Sequence, residues 1–262
     1  MNHDDSLLLR ADRADGLTTL TLNRPGQFNS LSEALLSALQ KELDAIAADE
    51  TVRVVVLAGA GKAFCAGHDL KEMRANHSKT YMQGLFKQCA EVMLTLTRMP
   101  QPVIARVHGI ATAAGCQLVS MCDLAVAADV AKFAVSGINV GLFCSTPAVG
   151  LARNLGRKAA LEMLLTGDFI DAMEARAKGL VNRVVPADAL DAEIEALAGS
   201  ILAKSAVAIR MGKSMFYQQL EMGLADAYAY AGEVMACNMM SEDAGEGIDA
   251  FMQKRKPNYK GC

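Results

Sequence analysis

A cycle that recurs along the first half of the chain limits its fold more than any other feature. A short, mostly apolar run leads into a turn of small residues, and the turn leads into a helix-forming segment. Residues 52–57 run into Ala58-Gly59-Ala60-Gly61, and residues 103–107 run into the small-residue turn 109–115. Strands with no polar alternation are buried on both faces, as parallel sheets require. Parallel neighbours joined by helical crossovers can wind as a superhelix. The chain is therefore read as α/β.

Local signals place the other elements. Thr18 to Leu22 is rich in β-branched residues and stops at Asn23-Arg24-Pro25-Gly26, a turn cluster. Ser30 stands three residues before Glu33, a capping-box spacing, and Leu31, Leu35, Leu39, Leu43 and Ile46 follow at helical intervals. A helix over residues 80–98 must end before Pro100 and Pro102. A further helix carries Gln117, Leu118 and Met121, and short strands follow at 124–127 and 133–135. Beyond residue 148 the pattern is mostly helical. Gly179 suits a helix C-cap, and a last short strand is expected over 180–185. The Met- and Ala-rich stretch 205–240 is too hydrophobic for a lone surface helix, and it reads either as core or as a subunit interface. The expected division is a core over residues 1–200 that carries the site and a helical oligomerisation region over 201–262.

Composition narrows the function. At 262 residues, 52% hydrophobic and 21% charged, the chain can bury one substantial core. A net charge of −3 recruits neither nucleic acid nor an anionic membrane, and no apolar run approaches the ~20 residues of a bilayer span. Seven scattered cysteines suggest reduced thiols, and the start Met-Asn-His-Asp-Asp lacks a signal-peptide pattern, so a cytoplasmic address is expected. His3, His68, His77 and His108 make no metal-ligand spacing with each other or with the cysteines, so no metal is expected. Gly59-Ala60-Gly61-Lys62-Ala63 lacks the spacing of a phosphate loop, and there is no Gly-x-Ser-x-Gly elbow. Cys116 and Cys122 read as packing residues.

Two loops of small residues remain, 62–72 and 107–118, each leading from a buried strand into a helix. Small residues let a ligand approach the backbone, and helix N-termini offer unpaired amides. Two such amides converging on one thioester oxygen would form an oxyanion hole. The bare pattern also fits ordinary tight turns.

Ala63-Phe64-Cys65-Ala66-Gly67-x-Asp69-Leu70-Lys71-Glu72 resembles the first signature of the crotonase (enoyl-CoA hydratase/isomerase) superfamily. Leu22-Asn23-Arg24-Pro25 with Asn29 resembles the N-terminal turn of that family. Gly115-Cys116-x-Leu118 with Met121-Cys122-Asp123 resembles its second signature, and Glu246-Gly247 through Lys254-Arg255-Lys256-Pro257 resembles its tail. The resemblance implies a crotonase-type ββα spiral with C-terminal helices that build trimers or dimers of trimers. It implies an acyl-CoA thioester as substrate or ligand, with no further cofactor. The oxyanion amides would belong to His68 and Ala114. The CoA moiety would lie near Gly26, Phe28, Ala66, His68, Asp69 and Leu70, with Phe251 and Lys254 meeting the adenine end.

Two positions depart from the pattern. Hydratases of this family handle water with two glutamates, and the matching positions here are Gln117 and Gly137. An amide can orient a water but cannot carry its proton, a service worth ~10²- to 10⁴-fold. Residues 139–147 are similar to a subgroup of enoyl-CoA hydratase domain-containing proteins that share both replacements, and Ser145 stands where some relatives place an aspartate. Dihydroxynaphthoyl-CoA synthases, which also carry glycine at the Gly137 position, recruit bicarbonate, and the room Gly137 would leave suggests the same here. The His68 imidazole is expected to turn toward solvent or to act as an acid or base, and Asp69 to cap a helix. The leading expectation is a hydratase-like lyase that works through enolate stabilisation. The alternatives are acyl-CoA binding with little turnover, or another reaction such as isomerisation or thioester hydrolysis.

Overall fold

The computed structural model describes residues 6–262; His3 lies outside them. Among the described residues, ten strands form two sheets. The larger is ordered β1 (Leu8–Asp12), β2 (Leu17–Leu22), β3 (Val54–Gly59), β5 (Val103–Val107), β7 (Leu124–Ala128) and β10 (Arg183–Val185). The smaller is ordered β4 (Ala63–Cys65), β6 (Ile110–Thr112), β8 (Lys132–Ala134) and β9 (Ile170–Asp171). Every pairing is parallel except β1 with β2 and β8 with β9. Each cycle of the chain lays one strand in the large sheet, the next in the small sheet, and then forms helix. β3 and β4 precede α2 (Leu70–Ala75) and α3 (Lys79–Arg98), β5 and β6 precede α4 (Ala114–Met121), and β7 and β8 precede α5 (Ser145–Asn154). This is the expected ββα spiral.

Burial explains the apolar runs. One face of the large sheet packs on α8 (Leu190–Leu202), where Leu17, Val54, Val56, Ile104 and Val126 meet Leu190, Ile194 and Leu197. The other face joins the main core, in which Leu35, Leu39, Leu43 and Ile46 of α1 (Glu33–Ala47) lie with Leu85, Cys89, Val92 and Leu96 of α3. A strand caught between two apolar layers has no polar face to display.

Several boundaries differ from expectation. The cap of α1 is Ser32, whose hydroxyl accepts from the Leu35 amide at 3.2 Å; Ser30 serves Arg24 instead. β1, β4 and β6 escape a periodicity reading because strands this short, or this close to a turn, give too few residues for a pattern. Gly179 does end α7 (Ala172–Lys178), at φ +91°, but the strand after it begins only at Arg183. The remaining helices are α6 (Arg157–Thr166), α9 (Ala206–Gln219), α10 (Leu224–Met239) and α11 (Glu242–Met252).

α9 is fastened to the body by a buried cation. Lys213 Nζ donates to Asp123 at 2.6 Å and to the carbonyls of Leu96 and Gln101, both at 2.8 Å. Tyr217 donates to the other Asp123 oxygen at 2.9 Å. By contrast, Leu224, Tyr228 and Met235 of α10 are 76%, 75% and 70% exposed, so this part of the Met-rich stretch is not core within the single chain. No helix among the described residues is long and apolar enough to cross a membrane.

Candidate functional site

Two glycines bring the small-residue loops into contact. Gly67 has φ +86°, which disfavours any side chain, and a Cβ there would lie 2.8 Å from Ala113 Cβ and 3.1 Å from the Ala114 amide nitrogen. A Cβ on Gly115 would lie 2.1 Å from the Cys65 carbonyl. Only glycine at both positions lets loop 66–70 close on the N-terminus of α4.

The turn before α1 supports this closure from outside. Asn29, fully buried at φ +55°, donates its amide to the carbonyls of Ala60 and Ala63, both at 2.8 Å, and accepts from the Arg24 amide. The Phe28 carbonyl accepts from Ala66, and the Leu31 amide donates to Gly67. Arg24 reaches across to Asp69 at 3.0 Å. Asp69 in turn caps α2 by accepting from the amides of Lys71 and Glu72, so its expected structural role stands. Burial raises the Asp69 pKa, but the Arg24 hydrogen bond and the two amides outweigh it and hold the carboxyl below the ordinary carboxylate value.

His68 and Ala114 line one cavity of about 220 Å³. The amides of neither donate to any acceptor among the described residues. Ala114 is the first residue of α4, so its amide has no partner within the helix. Before it stands Ala113 at φ 51° and ψ −121°, a conformation that L residues seldom adopt and that is held by a bond from its amide to the Ala134 carbonyl. The two free donors thus come from two loops that line one cavity.

The cavity wall is otherwise apolar, with Leu70, Met73, Phe86, Val140, Leu142, Phe143 and Pro147, and its polar members are His68, Ser136, Ser145 and Thr146. It contains no carboxylate. Gly26 and Phe28 sit on the neighbouring turn, Gly26 with open space around it and Phe28 exposed at φ +50°. The turn thus stands beside Ala66, Asp69 and Leu70, which joins five of the expected CoA-facing positions. Phe251 and Lys254 do not join them. They lie on and just after α11, Phe251 is 85% exposed, and neither lines the cavity.

Three expectations need correction. Gly137 lines the cavity, but the direction a side chain would take there is filled: a Cβ would lie 2.5 Å from the Leu142 carbonyl oxygen and 2.7 Å from Cys144 Sγ. Segment 142–144 packs over the direction that a side chain at position 137 would take. Gln117 lies on α4 as expected, but it is buried and absent from the cavity wall, with its side-chain oxygen unpartnered. The His68 ring does not turn toward solvent. Both its nitrogens are buried without a protein partner, and the ring packs edge-on against Phe86 with centroids 5.5 Å apart. Burial lowers its pKa, only partly offset by the nearby Leu31 backbone. Phe86, which fixes this ring, carried no local sequence signal, since a helical aromatic at core spacing is indistinguishable from ordinary packing.

Comparison with known proteins agrees with the architecture. The family described as "Enoyl-CoA hydratase/isomerase" matches residues 12–262. The "Enoyl-CoA hydratase domain-containing protein 3, mitochondrial" of Xenopus laevis is 46% identical over 92% of this chain and 82% of its own length. A crystal structure of human enoyl Coenzyme A hydratase domain-containing protein 3 superposes with a TM-score of 0.94 at 43% identity, covering 97% of this chain and all of that one. One of an enoyl-CoA hydratase from Mycobacterium smegmatis reaches 0.96 at 61% identity, covering 97% and 99%. The vertebrate relatives are named mitochondrial, which overturns the expected cytoplasmic address. Buried, reduced thiols do not distinguish the cytoplasm from an organelle interior. With a family match that spans nearly all of the chain and this ββα spiral beneath it, the chain belongs to the enoyl-CoA hydratase/isomerase, or crotonase, family.

Proposed function

We propose that the chain binds an acyl-CoA thioester with its carbonyl between the amides of His68 and Ala114, and stabilises the enolate of that thioester without running two-carboxylate hydration. The observation that carries this reading is the pairing of two free backbone donors with a cavity wall that holds no carboxylate. Each donor in such a hole contributes ~3 kcal/mol to a developing oxyanion. Adding water across a double bond also needs a proton taken from water and one given to carbon, and neither Gln117 nor Gly137 supplies them. The CoA moiety runs past Gly26, Phe28, Ala66, Asp69 and Leu70. No cofactor is required.

The exposed Leu224, Tyr228 and Met235 recur at intervals of four and seven on α10, which gives one apolar face suited to another copy of the chain. Such an assembly would also let Phe251 and Lys254 serve a neighbouring site. Two measurements on the full chain test the proposal: calorimetric binding of butyryl-CoA, and hydration of crotonyl-CoA followed by loss of the conjugated-thioester absorbance. Tight binding with hydration far below that of a two-glutamate relative is expected. Failure to bind, or hydration at the relative's rate, refutes it.

A further inference from the structure

The cavity that holds the two free donors is lined unevenly. Beside the donors stand Ala66, Ala113 and Ala114, small enough for a thioester to reach the backbone. The bulk comes from Met73 of α2, Phe86 of α3, and Leu142 and Phe143 of the segment before α5. The His68 ring adds wall only, because both its nitrogens are buried and it packs edge-on against Phe86.

The segment before α5 is fastened at both ends. The Leu142 amide donates to the Gly137 carbonyl and the Gly141 amide to that of Ile138, both at 3.0 Å. Further on, the Ser145 amide donates to the Phe143 carbonyl at 2.8 Å, and the Ala148 amide to that of Cys144 at 3.0 Å. Leu142 and Phe143 are therefore held by backbone bonds although they are 44% and 38% exposed. They meet a ligand in the cavity as a fixed stop.

Two properties of the cavity define what it takes. Its volume of about 220 Å³ is roughly seven times the ~30 Å³ that a water occupies in the liquid. The sulfur, carbon and oxygen of a thioester fill about three such places and leave about four for carbon. No lysine, arginine, aspartate or glutamate lines it, so a carboxylate on the acyl group would be buried without a partner.

We propose that the site selects short, uncharged hydrocarbon acyl groups of about four to six carbons, and that Leu142 and Phe143 determine that length. This rests on the thioester binding proposed above and adds to it the class of acyl group. The turn 137–142 then has two consequences: it fills the side-chain direction at Gly137, and it ends the space for the acyl chain. Each methylene taken into such a wall raises affinity about fourfold, and one that passes the stop raises it no further.

The test is calorimetric binding of acetyl-, butyryl-, hexanoyl-, octanoyl- and glutaryl-CoA to the full chain, repeated with Leu142→Ala, Phe143→Ala and Phe143→Trp. Affinity should rise about 15-fold from acetyl to butyryl, which adds two methylenes, and should fall from hexanoyl to octanoyl. Glutaryl-CoA, which carries a terminal carboxylate, should bind ~100-fold or more weakly than hexanoyl-CoA. Each alanine variant should raise the octanoyl-to-butyryl affinity ratio about tenfold, and Phe143→Trp should lower the hexanoyl-to-butyryl ratio. A damaged fold weakens every ligand alike, so the ratios separate loss of folding from loss of selection. Wild type that binds octanoyl-CoA more tightly than hexanoyl-CoA, or glutaryl-CoA as well, overturns this inference and leaves thioester binding intact. So do ratios that both alanine variants leave unchanged. Absence of binding across the whole panel overturns both.

Discussion

Restoring the missing glutamate at position 137 should damage the protein rather than revive a hydratase. A Cβ at Gly137 would sit 2.5 Å from the Leu142 carbonyl oxygen and 2.7 Å from Cys144 Sγ, about 1 Å inside ordinary contact. The obstacle cannot swing aside as a flexible side chain would. It is backbone, and it is tied to the same residue by the Leu142 amide donating to the Gly137 carbonyl at 3.0 Å. Overpacking of this kind costs ~1–3 kcal/mol. For a chain of this size that lowers the melting temperature by roughly 2–12 °C. Most of the loss should already appear in Gly137→Ala, which adds the Cβ alone. Gly137→Glu with Gln117→Glu should melt at least as low and should hydrate crotonyl-CoA no faster than wild type, because the second carboxyl lies buried off the cavity wall. Thermal unfolding by circular dichroism and the absorbance assay read both quantities. A double variant that melts like wild type and gains hydration would show that segment 142–144 yields freely, and the reasoning would be wrong.

The neutral His68 predicts a stability effect of known sign: its folded pKa is depressed, so the contribution is present above the unfolded value of ~6.5 and is lost as pH falls toward the folded one. Melting temperatures of wild type should therefore decline more steeply below pH 6.5 than those of His68→Gln, the depressed His108 being common to both. Lys213→Met would leave the Asp123 carboxylate buried with Tyr217 and the Val103 amide as its remaining donors, a loss of ~3 kcal/mol in urea unfolding; a change under 1 kcal/mol would refute the anchoring role. Tyr228→Asp with Met235→Asp should reduce the mass measured by light scattering, and an unchanged mass would remove α10 from any interface. Ala113→Gly should raise stability by about 1 kcal/mol, because relief of an unusual conformation worth ~1–3 kcal/mol exceeds the added chain entropy.

The sequence disclosed elements in proportion to their length and burial. β3, β5 and β7 were readable because sandwiching between two apolar layers writes a continuous hydrophobic run, and α1 and α3 because four or five turns repeat one stripe. β4 and β6, three residues each, lie within segments that read as loops, and only pairing across the small sheet makes them strands. The site divides in the same way. The backbone donors were legible because glycines at 67 and 115 and the small residues around them mark a close approach. The placement of side chains was not. Nothing local reports that Leu142 and Cys144 cover Gly137, or that Phe86, eighteen residues beyond His68, turns its ring inward. Both facts depend on contacts between distant segments.

The divided legibility follows from how the site is built. The proposed oxyanion donors are backbone amides, fixed by φ +86° at Gly67, by the turn at Ala113, and by the carbonyl of Cys65 lying against Gly115. None of these features needs a particular reactive side chain, so the donors persist when the carboxylates are gone. The proton-handling half of the chemistry depends on single side chains and on what lies over them. Here position 137 carries no side chain, and segment 142–144 packs over the direction that one would take. A carboxylate at 137 and a folded-in segment 142–144 exclude one another sterically, so the present arrangement is a distinct packing of the same spiral rather than a hydratase with two side chains erased.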